Sequence, residues 1–120
     1  MLINELSRKT GISTHTIRFY EKSGLIEGKR DPSVTSNNYF HYDDVTIQKL
    51  EFITDAKSVG FTIKEIGQII DAWYNRKYTK KQKLEILEDK LVSLEQRMRE
   101  IREMIKQIRQ FKDDVLSERC

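Results

Sequence analysis

The sequence predicts a mostly α-helical protein, with a winged helix-turn-helix head followed by one long coiled-coil helix. Two short amphipathic segments separated by Gly11 predict the helix-turn-helix. Residues 27–41 lack helical periodicity and contain turn-forming Pro, Gly and Asn, which predicts a small β-hairpin, the wing. Apolar residues alternate at spacings of four and three from Leu84 to Val115, which predicts the coiled coil. We therefore assign residues 1–75 to the head and residues 76–120 to a connector and the long helix.

The bulk composition suits a soluble protein with much exposed helix. The chain has 120 residues, of which 38% are hydrophobic and 34% are charged. It contains no apolar run of about 18 residues, so no membrane partner is expected. The N-terminus lacks the apolar stretch of a secretion signal, and we therefore expect an intracellular protein.

The net charge permits nucleic-acid binding without requiring it. The formal charge is +3 and the isoelectric point is about 9.0. Residues 1–78 hold 11 Lys and Arg against 10 Asp and Glu, so the head is almost neutral. Affinity for phosphate must therefore depend on where the cations lie rather than on their number.

The second helix of the head is predicted to carry polar and charged groups on one face. Ser13 is predicted to be its N-cap, and Gly24 is predicted to stop it. Ile17 and Leu25 are predicted to face the core, with Phe19 beside them. The opposite face is predicted to expose hydroxyls, an imidazole, a phenol and two cations, which can bind phosphate oxygens and base edges. These residues are Thr14, His15, Thr16, Arg18, Tyr20 and Lys22.

Two of these residues have a structural alternative. Arg18 contacts DNA in our interpretation, and otherwise forms an ion pair with Glu21 or Glu5 on the helical surface. The hydroxyl of Tyr20 contacts the DNA backbone, or its ring packs under the wing.

The other elements follow from periodicity and capping patterns. A helix begins at Asp43, turns Val45, Ile47, Leu50, Ile53 and Ala56 toward the core, and ends at Gly60. A capping box formed by Thr62 and Glu65 opens the next helix, which runs through Trp73. Residues 74–78 form a polar connector, and a second capping box at residues 79–82 opens the long helix.

The long helix carries an apolar seam that needs a partner. Its residues occupy the two core positions of a heptad repeat, and nothing else in the chain is long enough to cover them. A second copy of the chain is the simplest partner. We expect dimerisation through Leu84, Leu87, Leu91, Leu94, Met98, Ile101, Ile105 and Ile108, with Val115 continuing the seam.

Two sequence blocks resemble the MerR family of bacterial transcription regulators. The family hallmark S-x-x-T-[IL]-R-[FY]-Y-E-x-x-G-L-[IL] is matched at every position from Ser13 through Ile26. A second block has family residues at the expected offsets, and these are Tyr42, Asp44, Val45, Leu50, Phe52, Ile53, Ala56, Gly60, Phe61, Thr62, Lys64, Glu65 and Ile66.

The resemblance implies a homodimeric, sequence-specific DNA-binding transcription regulator. Its long helices pair in antiparallel fashion, which places the two heads at opposite ends. The heads bind half-sites of double-stranded promoter DNA with an overlong spacer and distort that spacer for RNA polymerase. Such a protein is cytoplasmic in a bacterium and associated with the nucleoid when bound.

The resemblance also implies DNA contacts from two wings. Lys29 and Arg30 are candidate phosphate contacts in the first wing, where Tyr39 and Tyr42 either contact DNA or belong to the core. Phe40 stands where the family has Arg, Asn38 stands where it has Gly, and the loop is longer. Lys57 and Lys64 reach phosphates from the second wing, or are solvated surface lysines.

No metal or other cofactor is expected. Relatives that sense metals place two cysteines in a loop after the dimerisation helix, where this chain has Val115 in the place of the first and no second cysteine. Cys120 alone supplies too few ligands, and oxidant sensing by this thiol stays an alternative. Trp73, Tyr74 and Tyr78 either line an effector site or pack ordinarily.

An enzyme is not expected, because no phosphate-binding Gly-rich loop or nucleophile–base pair is visible. The alternative function is an interaction protein with a repurposed head, either a DNA-architectural protein or a modulator of chaperones. The substitution of Phe40 for Arg and the near-neutral head favour this alternative, whereas Arg18, Tyr20 and Lys22 favour the regulator.

Overall fold

The computed structural model describes residues 1–30 and 40–117. The chain divides into two compact units, Met1–Lys77 and Tyr78–Cys120. The predicted mostly α-helical fold, with a helix-turn-helix head and a long C-terminal helix, is confirmed. The elements are α1 (Ile3–Thr10), α2 (Thr14–Lys22), β1 (Lys29–Arg30), β2 (Phe40–His41), α3 (Asp44–Ser58), α4 (Ile63–Ile70), a π-helical turn (Asp71–Asn75) and α5 (Lys80–Leu116).

Local backbone chemistry forms the turn between α1 and α2. Gly11 ends α1 at φ +73°, a left-handed conformation that glycine adopts without strain, and its N–H donates to the Ser7 carbonyl. The predicted N-cap of α2 is confirmed, because the Ser13 hydroxyl accepts the Thr16 backbone N–H at 3.1 Å. Together these two residues fix where the second helix starts.

The wing is a two-stranded antiparallel hairpin. Lys29 pairs with His41, and Arg30 pairs with Phe40. The two strands agree with the predicted hairpin, whose second strand was expected near residues 39–41. Tyr39 and the tip of the hairpin lie outside the described residues.

The core of the head joins all four of its α-helices. Five side chains from α1, α2, α3 and α4 have no solvent-exposed surface, and burying each stabilises the fold by about 1.5–3 kcal/mol. They are Leu6, Ile17, Leu50, Ile53 and Ile66.

The predicted burial of Val45 in α3 is wrong. Thr46 is buried instead, at helical spacing from Leu50 and Ile53, and Val45 lies one position outside that stripe with 46% of its surface exposed. The Thr46 hydroxyl donates to the Asp43 carboxylate at 3.3 Å, so the polar group is satisfied at the N-terminus of the helix.

The capping box of Thr62 and Glu65 is confirmed, but the helix that it opens ends earlier than predicted. The α-helix ends at Ile70 and continues as the π-helical turn Asp71–Asn75, which includes the first two residues of the predicted connector. The Arg76 guanidinium lies 3.0 Å from the Asp71 carboxylate and closes this turn.

Two residues of the predicted aromatic group pack within the head. The ring of Phe52 lies 6.1 Å from that of Trp73 and 6.0 Å from that of Tyr74. Ordinary aromatic packing therefore accounts for Trp73 and Tyr74.

The long helix α5 has 37 residues and extends for about 55 Å. Its predicted capping box is confirmed, with reciprocal bonds between Thr79 and Gln82. The seam residues from Leu84 to Val115 lie exposed on the single chain, each with at least 36% of its surface accessible. Within the described ranges, no helix is both long and apolar enough to cross a membrane.

Candidate nucleic-acid interface

The outer face of α2 presents basic side chains, and in the described ranges the two strong bases, Arg18 and Lys22, form no ion pair. Arg18, Lys22 and His15 are exposed, and Thr14 and Thr16 are half-buried at the start of the helix. Both predicted acidic partners of Arg18 bind elsewhere, since Glu5 pairs with Lys9 at 3.6 Å and Glu21 accepts hydrogen bonds from Gly28 and Tyr42. Among the described residues, Arg18 therefore has no ion pair.

The predicted exposure of Tyr20 is wrong. Only 4% of Tyr20 is exposed, whereas 49% of Phe19 is exposed. Tyr20 follows Ile17 by three residues and therefore lies on the same buried face of the helix. The structure places Tyr20 in the core of the head. Neither the contact between its hydroxyl and DNA nor the packing of its ring under the wing is tested.

Tyr20 holds a cation of α3 beside α2. The ammonium of Lys57 lies 3.5 Å from the Tyr20 hydroxyl and 5.8 Å from the centre of its ring. Lys57 is itself exposed, so one cation of the predicted second wing lies next to the second helix of the head. Lys64 is exposed in the first turn of α4, and no hydrogen bond or ion pair seen in the described residues joins it to α2.

Glu21 connects α2 to the residues on either side of the hairpin, Gly28 before β1 and Tyr42 after β2. Its carboxylate accepts the Gly28 N–H at 3.0 Å and the Tyr42 hydroxyl at 3.1 Å. A Cβ at Gly28 would lie 2.8 Å from both the Glu21 carboxylate and the Phe40 Cβ, so this close approach requires glycine. Sequence reasoning considered Glu21 only as a partner of Arg18, although its place in the family hallmark was a usable signal.

Tyr42 belongs to the core rather than to the exposed wing. Only 5% of it is exposed, and its backbone N–H donates to the Met1 carbonyl at 2.8 Å. Burial, and then the negative charge of Glu21, raise the pKa of Tyr42 to about 12.

The raised pKa of Tyr42 predicts a late ionisation step. The pKa is higher in the folded than in the unfolded protein, so the stability contributed by the protonated phenol is complete below pH 10.0 and is lost as the pH rises through about 12. An absorbance titration of the five tyrosines should show one step near pH 12 that Tyr42→Phe lacks. The control Tyr74→Phe should keep that step, and a late step that survives Tyr42→Phe would contradict the assignment.

The wing lies beside the exposed cations of α2. Arg18, Lys22 and Phe40 line one open hollow between the helix and the hairpin. Lys29 is exposed on β1, while the Arg30 side chain and Tyr39 lie outside what the structure describes. The described part of the candidate interface thus combines α2, the start of the wing and Lys57.

Metal ligands do not cluster in the described part of the chain. Residues 1–30 and 40–117 contain no group of three or more His, Cys, Asp or Glu side chains that could hold an ion. Cys120 lies outside these ranges.

Two family profiles match the chain. One, described as MerR HTH family regulatory protein, matches residues 1–73. The other, described as MerR, DNA binding, matches residues 47–111. Together they cover the head and most of α5.

Individual relatives match over most of their length. A probable heavy metal-dependent transcriptional regulator of Haemophilus influenzae is 29% identical over 114 residues, which are 94% of this chain and 86% of the relative. The regulator PbrR691 of Ralstonia metallidurans CH34, solved with lead(II), superposes with a TM-score of 0.80 at 24% identity over 95% of this chain and 87% of its own. HiNmlR, a MerR family regulator lacking the sensor domain and bound to promoter DNA, gives a TM-score of 0.61 at 22% identity, covering 88% and 78%. The two solved structures share the fold.

Proposed function

Since the chain belongs to the MerR family of helix-turn-helix regulatory proteins and is a DNA-binding regulator of transcription rather than an enzyme, we propose that it acts as a homodimer on promoter DNA. Each head binds one half-site of double-stranded DNA. The observation that carries the proposal is the outer face of α2, where Arg18 is exposed and has no ion pair among the described residues. A solved relative bound to promoter DNA supports the same choice of partner.

In this proposal α2 is the recognition helix in the major groove. Arg18 and Lys22 contact base edges or phosphates from its exposed face. Thr14, His15 and Thr16 lie at its N-terminus, where the backbone N–H groups and the helix dipole favour phosphate. Phosphate contacts from the wings come from Lys29, Arg30, Tyr39, Lys57 and Lys64.

The dimer forms through the exposed seam of α5, with the helices antiparallel and the heads at opposite ends. Two heads held this way can bend and untwist an overlong promoter spacer and thereby align the promoter elements for RNA polymerase. Such deformation costs about 1–6 kcal/mol, which the phosphate contacts of both heads offset.

The metal dependence in the name of the Haemophilus influenzae relative is not carried over to this chain. A structural or sensory site needs several ligands that converge on the ion. The described residues offer no such group.

Selection of bound genomic DNA fragments at physiological salt tests the proposed function. The expected result is a single palindromic motif inside a promoter spacer that is longer than usual. Diffuse recovery without a motif would favour a DNA-architectural role instead. No recovery at all would favour a protein partner, such as a chaperone, and would contradict the proposal.

A further inference from the structure

One column of charges beside the seam of α5 changes sign halfway along the helix. Glu88 and Glu95 occupy it in the first half, and Arg102 and Arg109 occupy it in the second, at intervals of seven residues. We call these four residues the flanking column. In the described part of the chain none of them forms an ion pair on its own helix, and Arg102 reaches only the Met98 sulfur, at 3.7 Å.

An antiparallel pair of helices brings this column against its own copy. In a two-fold symmetric antiparallel dimer, residues of this column that lie between the same two core layers of the seam face each other. Because reversing one helix brings each flanking heptad position against the same flanking position of the partner, the acidic half of one column then lies along the basic half of the other. We propose that these charges set both the direction and the register of the dimer, with Glu95 facing Arg102 and Glu88 facing Arg109 of the second copy. This inference rests on the homodimer in the proposed function.

The same register pairs the apolar seam without gaps at its centre. We place the two-fold axis between Arg99 and Glu100. Each core layer then contains one residue from the first half of α5 in one copy and one residue from the second half of α5 in the other copy. The apolar layers are Met98 with Ile101, Leu94 with Ile105, Leu91 with Ile108, and Leu84 with Val115. Outside the seam, the aliphatic stem of Arg97 then covers Met104 of the second copy, a side chain that is 60% exposed on the single chain.

Neighbouring registers are electrostatically worse. Sliding the helices by one heptad in one direction places Glu95 opposite its own copy. Sliding them by one heptad in the other direction places Arg102 opposite its own copy. Like charges that face each other destabilise the pair, so only the proposed register leaves both acidic residues opposite arginines.

A parallel dimer makes a different prediction for Arg102. Parallel helices bring the flanking column against the column on the other side of the seam, which places Arg102 against Arg97 of the second copy. Arg102→Glu would then strengthen a parallel dimer. In the antiparallel dimer the same substitution weakens the pair, because the new carboxylate faces Glu95 of the second copy. This difference in sign makes the direction testable in solution.

Charge reversal on the full-length chain tests the inference. One variant carries Glu88→Lys and Glu95→Lys, and the other carries Arg102→Glu and Arg109→Glu. We expect each variant alone to have a dimer dissociation constant raised at least about 30-fold in analytical ultracentrifugation, because several like-charge contacts replace attractive ones. An equimolar mixture should form heterodimers with near wild-type affinity, since every contact between the two columns is then attractive.

Controls separate interface charge from net charge and from folding. The control variant Glu100→Lys, Glu103→Lys has the same change in net charge as the Glu88→Lys, Glu95→Lys variant, but its substitutions lie outside the flanking column. It should dimerise like the wild type. A variant with all four column substitutions should recover the dimer, and circular dichroism should show that α5 stays helical in each case.

Two results would overturn the register: tighter self-association of the Arg102→Glu, Arg109→Glu variant, or a mixture that fails to pair. A wild-type chain that is monomeric would instead overturn the homodimer in the proposed function.

Discussion

Replacing Arg18 with alanine is expected to lower the affinity for a selected operator by about 30- to 20,000-fold. A good arginine contact to a base or phosphate contributes about 1–3 kcal/mol, and a homodimer loses it in both half-sites. Arg18 is exposed on α2, and its two candidate acidic partners, Glu5 and Glu21, bind other groups. The substitution therefore breaks no ion pair among the described residues. Fluorescence anisotropy with the operator at physiological salt measures the change.

The control for Arg18 is a second arginine of the same unit. Arg76→Ala also removes one positive charge, but Arg76 closes the π-helical turn by pairing with Asp71 at 3.0 Å. It should change operator affinity by only a few fold. Arg18→Lys adds a second comparison, because lysine keeps the charge and loses the planar, bidentate geometry. Normal operator binding by Arg18→Ala would show that α2 is not the recognition helix.

The parts of the head that sequence predicted correctly depend on residues close together in the chain. The cap formed by Ser13 and the capping box formed by Thr62 and Glu65 each involve groups three residues apart. The long helix follows likewise from a repeat that spans only seven residues. Such features can be predicted from the sequence, because the groups that form them are neighbours along the chain.

The errors came from side chains whose environment depends on tertiary packing. The hydroxyl of Tyr20 suggested an exposed residue, yet the ring packs in the core while the wholly apolar Phe19 points outward. Glu21 lies 21 residues from Tyr42 in sequence, and only the folded chain brings the carboxylate and the phenol within 3.1 Å. No local pattern reports such a contact, because it needs the helix and the wing to be positioned first.

Leu91→Asp is expected to dissociate the dimer and thereby to weaken operator binding strongly. Leu91 belongs to the seam and is 51% exposed on the single chain. In the dimer the substitution loses the burial of a leucine and places a carboxylate in the seam, and symmetry doubles the effect. We expect the dimer dissociation constant to rise at least about 1,000-fold. Sedimentation should then give a mass near the monomer value of 14.3 kDa.

Val92→Asp is the matched control, because it also replaces an exposed aliphatic residue of α5 with aspartate, at the neighbouring position. Val92 is also apolar and is 56% exposed on the single chain, but it lies outside the seam. The substitution should leave the dimer and its operator affinity close to wild type. A separated head keeps its own contacts and loses the second half-site, so Leu91→Asp should weaken operator binding by about 100- to 10,000-fold. If both variants dimerised equally well, the seam defined by the heptad repeat would not be the interface.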